Sequence, residues 1–268
     1  MLDFDISILI KGAGDLATGV AHRLHRAGFR PVLTELAQPL TVRRGVSFSE
    51  AVYEGRIDVE GVTAARAQDL AEAKGMLARG LVPVLVDPAG DTLPKLSPTV
   101  LIEATLAKRN TGVSRADARW VIGLGPGFTA GQDVHAVVET QRGHDLGRVI
   151  LDGAAQPNTG EPEAVRGYTH ERVLRAPGAG IFTPALTIGD PVAAGQVVGH
   201  VGAEPVPAAI SGVVRGLLHG GLAVSRGLKI GDVDPRGRRE NCFTMSDKAL
   251  AVGGAVLEAL LHFMAGRE

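Results

Sequence analysis

The stretch Lys11-Gly12-Ala13-Gly14-Asp15-Leu16-Ala17 decides the fold that the sequence predicts. It follows a short β-branched run, Ile6–Ile10, and it opens a segment with helical apolar spacing that continues to Ala27. Gly28 then ends the helical pattern. A glycine-rich turn between a strand and a helix is typical of the first crossover of a dinucleotide-binding sheet.

Residues of this stretch match the roles that a dinucleotide-binding turn requires. Gly12 permits the turn, Gly14 permits close approach of a phosphate, and Ala17 is small where the helix meets the strand. The helix N-terminus presents N–H groups and a partial positive charge to phosphates. Glu35 stands where an acid bonds a ribose 2′-hydroxyl, whereas Asp15 places a negative charge beside the phosphate site. We therefore predict cofactor binding by Gly12, Gly14, Asp15, Ala17 and Glu35; the alternative is a tight turn that binds nothing.

Strand and helix patterns alternate through the first half of the chain. Arg30–Leu36, Leu81–Val86 and Thr99–Thr105 are predicted strands, and Ala64–Arg79 is a predicted helix. This alternation predicts a Rossmann-like parallel sheet covered by helices over residues 1–167.

The second half contains an internal repeat with an offset of 32 residues. Gly180, Gly189 and Val192 recur as Gly212, Gly221 and Val224. The short glycine-punctuated segments resemble a lipoyl/biotinyl-carrier barrel, predicted over residues 168–240. The hairpin between the copies lacks the carrier lysine, which favours a scaffold or a docking surface. The predicted fold class is α/β: a Rossmann-like sheet, this β barrel-sandwich, and a C-terminal helix in residues 241–268 that packs back.

Composition excludes several classes of protein. Among 268 residues, Lys+Arg 28 and Asp+Glu 29 give a net charge of -1, which argues against nonspecific nucleic-acid binding. No apolar run reaches the roughly 18 residues of a membrane span. The single cysteine fits a reducing compartment, and the acidic N-terminus does not resemble a signal peptide. We expect a soluble, cytoplasmic protein, and the sequence leaves a homo-oligomer open.

A second group of residues could carry chemistry. Gly125 and Gly127 follow a predicted strand and could form a further anion-binding nest, so they join the predicted cofactor-binding residues. His135 and Glu139 would share one face of a strand, and with His144 and Asp133 they could form a metal site or an acid–base pair. The spacing matches no established metal signature, so the metal stays undefined; the alternative is a surface histidine pair.

Cys242 is the third candidate. The neighbouring Arg238 and Arg239 and a helix start at Ser246 would lower the pKa of its thiol and favour the thiolate. The alternative is an inert small hydrophobic residue. The predicted catalytic residues are thus Cys242, His135 and His144. The charged stretch Lys229–Arg236 is either an interaction site or a solvated hairpin.

Taken together, the chain resembles the accessory-protein family of selenium-dependent molybdenum hydroxylase systems. The segments that carry the resemblance cover most of the chain: Gly12–Leu24, Arg43–Gly55, Gly123–Gly131, Val138–Gly147, Asn158–Gly160, Lys229–Arg236 and Cys242–Ala249. The resemblance implies a maturation factor for a xanthine-dehydrogenase-like molybdenum hydroxylase. It also implies that the apo-hydroxylase is the partner and that molybdenum cofactor is handled. Together with the glycine loop and Glu35, it leaves a nucleotide-containing cofactor, either a molybdopterin dinucleotide or NAD.

Two other functions remain open at this point. Glu35 favours an NAD-dependent oxidoreductase, although no Tyr-x-x-x-Lys pair accompanies the glycine turn. A non-catalytic scaffold is the third possibility, in which the barrel recruits partners. The sequence leaves open whether the protein is an enzyme and favours an accessory protein that does not itself hydroxylate.

Overall fold

The computed structural model describes residues 6–266, which form two compact units. The first unit takes the chain up to residue 39, residues 47–158, and the chain from residue 245 onward. The second unit takes residues 40–46 and 159–244. The short segment 40–46 is therefore separated in sequence from the rest of its unit.

The elements are as follows. The α-helices are α1 (Asp15–Arg26), α2 (Ala51–Glu54), α3 (Leu70–Ala78), α4 (Thr92–Leu96) and α5 (Asp247–Met264). Short 3-10 helices cover Arg44–Val46, Phe48–Glu50, Arg115–Asp117 and Arg239–Cys242. The strands of the first unit are β1 (Ile8–Lys11), β2 (Pro31–Glu35), β3 (Arg56–Val59), β4 (Val62–Ala67), β5 (Val82–Val86), β6 (Val100–Glu103), β7 (Trp120–Leu124), β8 (Thr129–Ala130), β9 (Ala136–Val138), β10 (Val149–Ile150) and β11 (Gly153–Ala154). Those of the second unit are β12 (Val173–Arg175), β13 (Gly180–Pro184), β14 (Pro191–Val192), β15 (Val197–Val201), β16 (Glu204–Pro207), β17 (Gly212–Leu217), β18 (Ala223–Val224) and β19 (Lys229–Asp234).

A nine-stranded sheet organises the first unit, in the order β10-β9-β7-β6-β1-β2-β5-β4-β3. The seven strands from β9 to β4 are parallel, and β10 and β3 are antiparallel edges. The central strands are buried apolar runs, as expected for parallel strands covered on both faces. The chain runs from β1 to β2 on one side and later returns to β6 on the other, so the strand order reverses between β1 and β6.

Two helices pack closely on one another in the first unit. A Cβ atom on Gly253 of α5 would collide with the backbone of Gly19 in α1, and one on Gly19 would collide with the backbone of Ala249. Glycine therefore permits backbone contact between α1 and α5. Farther along α5, Phe263 stacks on Trp120 of β7 with 5.9 Å between ring centroids. The C-terminal helix thus forms part of the core of the first unit.

The strands of the second unit form two four-stranded antiparallel sheets. Their orders are β12-β19-β17-β14 and β16-β15-β13-β18. Strands that start at Gly180, Pro191 and Val197 have counterparts that start 32 residues later. The short strand of each copy pairs with the long strand of the other copy, β14 with β17 and β18 with β13.

Segment 40–46 is bound to β17 within the second unit. The backbone carbonyl of Val42 accepts a hydrogen bond from the Leu217 N–H at 2.8 Å. Arg44 Nε donates to the Leu217 carbonyl at 2.7 Å, and Arg43 Nη2 donates to the carbonyls of Asn241 and Thr244. Gly216 is required here, because a Cβ atom would lie 2.7 Å from the Val42 side chain.

The predicted layout of a Rossmann-like domain plus a lipoyl-like barrel is corrected by this architecture. The large sheet is mixed, since a tight Glu60-Gly61 turn joins β3 and β4 as an antiparallel hairpin. The crossover from β6 to β7 contains only the 3-10 turn Arg115–Asp117 instead of an α-helix. In the second unit the strands divide between two sheets, and β12 and β16, which lie outside the repeated elements, complete one sheet each.

The predicted helix Ala64–Arg79 is also wrong. Its first part is strand β4, where Ala64, Ala65 and Ala67 are buried between β3 and β5. The helix itself starts after Asp69, whose side chain accepts a hydrogen bond from the Glu72 N–H as an N-cap. Burial in the sheet overrides the helix propensity of alanine here.

Among residues 6–266, no helix combines the length and the apolar character needed to cross a membrane.

Candidate functional site

The loop between β1 and α1 lies at the carboxyl edge of the sheet. Gly12 has φ of +99°, and a Cβ atom on it would lie 3.0 Å from the Ala104 carbonyl oxygen. Both facts require glycine at this position. Gly14 is the N-cap residue of α1 and supplies no side-chain cap. The first intrahelical bond runs from the Thr18 N–H to the Gly14 carbonyl, so amides of the first turn have no acceptor within the helix.

This loop sits where the strand order reverses. The β1–β6 register pairs Lys11 with Glu103, so both strands end side by side. In open α/β sheets, ligands bind in the crevice outside the carboxyl ends of the strands at such a reversal. The loop after β1 and the residues after β6 form the two sides of this position.

Lys11 and Glu103 form an ion pair at the reversal. Lys11 Nζ lies 3.2 Å from Glu103 Oε2, and the Glu103 side chain is 1% exposed against 26% for Lys11. Glu103 Oε1 accepts hydrogen bonds from the N–H and the hydroxyl of Thr105. Sequence reasoning missed Glu103. The available signal was an acid at the end of an apolar strand that neighbours the glycine loop.

Glu35 braces the glycine loop. Its Oε2 accepts a hydrogen bond from the Ala13 N–H at 2.9 Å, and its Oε1 accepts one from the N–H of its neighbour Leu36 at 2.7 Å. The carboxylate therefore lies against the loop that was predicted to hold phosphates. Each oxygen keeps a further lone pair, so contact with a ribose hydroxyl stays a prediction.

Acids at other strand ends have the same role. Asp87, after β5, accepts hydrogen bonds from the N–H groups of Asp91 and Thr92. Burial opposes ionisation of Asp87, but these hydrogen bonds outweigh it and hold the pKa of the carboxyl below its ordinary value. Glu139, after β9, is 1% exposed and accepts N–H groups of two separate loop residues at 2.6 and 2.7 Å.

The second glycine loop follows β7 at the same edge. Gly125 and Gly127 have φ of +74° and +111°. A Cβ atom on Gly125 would collide with the Thr140 hydroxyl, and one on Gly127 would lie 2.6 Å from the Arg109 N atom. The protein itself thus fills the space beside both glycines, which accounts for them through loop packing. Ligand binding by this loop stays a prediction.

The three predicted catalytic residues occupy separate surroundings. His135 precedes β9 and Glu139 follows it, so they lie at opposite ends of that strand. His135 Nδ1 accepts the Val121 N–H at 3.0 Å, and its ring meets Phe263 edge-on. His144 is exposed in the loop between β9 and β10. The structure does not bring the two histidines together with Glu139.

Cys242 belongs to the second unit and is 1% exposed. Its thiol faces the Val214 carbonyl at 3.7 Å. Burial raises the pKa of the Cys242 thiol and outweighs the opposing effect of nearby arginines, of which Arg215 is the strongest. The sequence predicted a lowered pKa because it revealed the arginines without the burial.

Comparisons of the sequence with known protein families and proteins give one relative and no family. A scan against protein-family models finds no match. The chain is similar to the Uncharacterized protein YqeB of Escherichia coli (strain K12), with 50% identity over 257 residues. The match covers 96% of this chain and 48% of that protein, so the chain spans about half the length of the curated relative.

Solved structures show weaker likeness. An aspartoacylase family protein from Mesorhizobium loti has 14% identity and a TM-score of 0.29, over 85% of this chain and 84% of that chain. A succinylglutamate desuccinylase/aspartoacylase from Rhodobacter sphaeroides has 15% identity and a TM-score of 0.27 over the same shares. At TM-scores this low, no fold or activity is transferred to this chain.

The family identification made from the sequence is corrected here, because the comparisons give it no support. The family scan finds no match, and the curated relative is named only as uncharacterized, with no mention of a selenium-dependent molybdenum hydroxylase system. The maturation function and the molybdenum cofactor fall with that identification, and the oxidoreductase and scaffold alternatives gain no support. Motifs that carried the resemblance have structural roles: Asp232 and Asp234 are buried and paired with arginines, and Cys242 is buried.

Proposed function

We propose that the first unit binds a ligand containing a nucleoside diphosphate, with its phosphates against the Gly12–Ala17 loop. One observation carries the proposal. An α-helix of twelve residues begins, without a side-chain cap, at the reversal of strand order, directly after a glycine held at positive φ. The amides of the first turn and the positive end of the helix dipole suit a diphosphate.

The charges around the loop define how such a ligand would be held. The Glu103 charge is compensated by Lys11, and the Glu35 carboxylate accepts two backbone N–H groups. Asp15 lies in the first turn of α1, where a phosphate would meet its negative charge. The fit is therefore best for a diphosphate without further negative groups, and Glu35 favours an unphosphorylated ribose over a 2′-phosphate.

Isothermal titration calorimetry with NAD+, NADP+ and ADP tests the proposal. We expect the wild-type protein to bind NAD+ and ADP and to bind NADP+ more weakly. Gly14→Val should weaken binding by about tenfold or more, equivalent to roughly 1.4 kcal/mol, because its branched side chain obstructs the phosphate position. Gly14 has φ of -69° and ψ of -173°, a conformation open to other residues.

Gly254→Val is the matched control. Gly254 lies in α5, and a Cβ atom on it would meet nothing within 4 Å. It should bind nucleotides like the wild-type protein. Asp15→Asn should bind more tightly, since it removes a like charge beside the phosphates. Absence of binding by all three nucleotides, or equal binding by the Gly14→Val and Gly254→Val variants, would overturn the proposal. A cytoplasmic location stays a prediction.

A further inference from the structure

Buried charge concentrates on β17 and β19 of the second unit. Two carboxylates, Asp232 and Asp234, are 3% and 2% exposed. Arg172, Arg215 and Lys229 are buried or half-buried around them, and Arg236 reaches the same group from the end of β19. Four cationic side chains therefore face two anionic ones.

Two of the cations already neutralise the two carboxylates. Arg172 Nη1 lies 2.5 Å from Asp232 Oδ1. Arg236 forms a bidentate pair with Asp234, with Nη2 at 2.6 Å from Oδ2 and Nε at 2.9 Å from Oδ1. Burial would raise the pKa of Asp234, but the bonds from Arg236 outweigh it and hold the pKa below its ordinary value. Each aspartate thus has its own arginine partner.

Arg215 and Lys229 remain without an equivalent partner. Arg215 Nε is buried and makes no hydrogen bond within residues 6–266, and its distance to Asp234 Oδ2 is 3.8 Å. The Lys229 ammonium forms neither a hydrogen bond nor an ion pair with any part of the chain that the structure describes. Asp232 acts on Lys229 only at longer range.

Irregularities in the strands place both side chains. The β17–β19 register shifts between Val214 and Gly216, which makes Arg215 an extra residue in its strand. The β12–β19 register shifts between Leu174 and Arg175, next to Lys229. Bulges redirect side chains and occur frequently beside binding sites. Two bulges in one small sheet therefore accompany the two cations that make no hydrogen bond to a carboxylate.

The electrostatics agree with this geometry. Burial, followed by repulsion from Arg43, lowers the pKa of Arg215. Burial also lowers the pKa of Lys229; repulsion from Arg172, Arg175 and Arg215 adds to this effect, against the attraction of Asp232. The protein holds more positive charge here than its own carboxylates balance, and a bound anion would relieve that excess.

We propose that Arg215 and Lys229 form a binding site for a phosphate group. Two unbalanced positive charges match a group that carries about two negative charges near neutral pH, as a phosphate monoester does. Arginine offers a planar pair of donors to phosphate oxygens and lysine offers a point charge. The half-buried Lys229 connects the cluster with solvent. The site belongs to the second unit and is independent of the nucleotide proposal for the first.

Titration with inorganic phosphate tests the site. Calorimetry measures the binding, and the thermal unfolding midpoint measures the stabilisation. Sodium chloride at equal ionic strength is the reference. We expect phosphate to raise the midpoint beyond the chloride reference and Lys229→Gln to weaken phosphate binding by about tenfold. Arg226→Gln, an exposed arginine before β19, is the matched control and should respond like the wild-type protein.

One further variant and one further ligand distinguish phosphate binding at this cluster from phosphate binding elsewhere on the protein. Arg215→Gln should also lose the phosphate response; if it does not fold, the Lys229→Gln result decides. Lys229→Gln should still bind ADP like the wild-type protein, which separates this site from the loop of the first unit. The proposal is overturned if phosphate acts no more strongly than chloride, or if Lys229→Gln responds like Arg226→Gln.

Discussion

At the sheet edge of the first unit, buried carboxylates accept backbone N–H groups, whereas in the second unit buried cations outnumber the carboxylates that face them. Glu139 accepts two loop amides and Glu103 accepts the Thr105 N–H beside Lys11. Arg215 and Lys229 have no comparable partners within residues 6–266. A carboxylate that accepts backbone N–H groups fixes the loops around it, whereas a buried cation without a hydrogen-bonded carboxylate attracts an anion. The same burial therefore has a structural consequence in one unit and a ligand-binding consequence in the other.

Removing a bracing carboxylate should have the largest effect. Glu139→Ala leaves the N–H groups of Gln141 and Gln156 without their acceptor in a partly buried environment. A buried unsatisfied group costs about 1–3 kcal/mol, so for two partly buried groups we expect the free energy of unfolding to fall by about 2 kcal/mol. Urea denaturation measures the loss. Glu161→Ala, at an exposed acid, is the control. Equal stability of the two variants would show that amide bracing contributes little.

The sequence allowed some of this edge to be predicted. The glycine loop and Glu35 were located because their spacing is local and because glycine marks positive φ. Glu103 and Glu139 were not recognised as bracing acids, since their partners come from loops that only the fold brings together. The predicted lowering of the Cys242 thiol pKa is wrong because neighbouring arginines are visible in the sequence and burial is not. The alanines of β4 predict helix by propensity, and only pairing between β3 and β5 makes them a strand.

A pH titration should show that the first unit does not accommodate a buried cation. His22 is 3% exposed, and burial lowers the pKa of its imidazole. The Glu60 carbonyl, 3.4 Å from the ring, opposes this shift without outweighing it. Burial, followed by repulsion from His22, also lowers the pKa of His25. The unfolded chain therefore binds more protons below about pH 6.5, and stability falls as the pH drops below that value. Above it, these histidines contribute no slope.

His22→Gln should reduce this acid sensitivity, measured as the free energy of unfolding between pH 7 and the acidic range. His144→Gln is the matched control, because His144 is exposed. If the free energy of unfolding of His22→Gln depends on pH as steeply as that of the wild-type protein, other groups cause the acid sensitivity. The first unit would then give no evidence that its buried histidines resist protonation.

Removal of the Lys229 charge should have the smallest effect on stability. It should stabilise the protein, whereas removal of the Glu139 carboxylate should destabilise it. In phosphate-free buffer, Lys229→Gln removes a half-buried positive charge that Arg172, Arg175 and Arg215 repel. We expect a modest rise in the unfolding midpoint, while Arg226→Gln should leave it unchanged. The wild-type protein should approach the variant as the pH rises, because Lys229 has a lowered pKa and loses its proton before the unfolded chain does. A lower midpoint in Lys229→Gln at every pH would instead mean that the ammonium stabilises the fold. Buried charge would then be stabilising in both units, carried by carboxylates in the first and by a cation in the second.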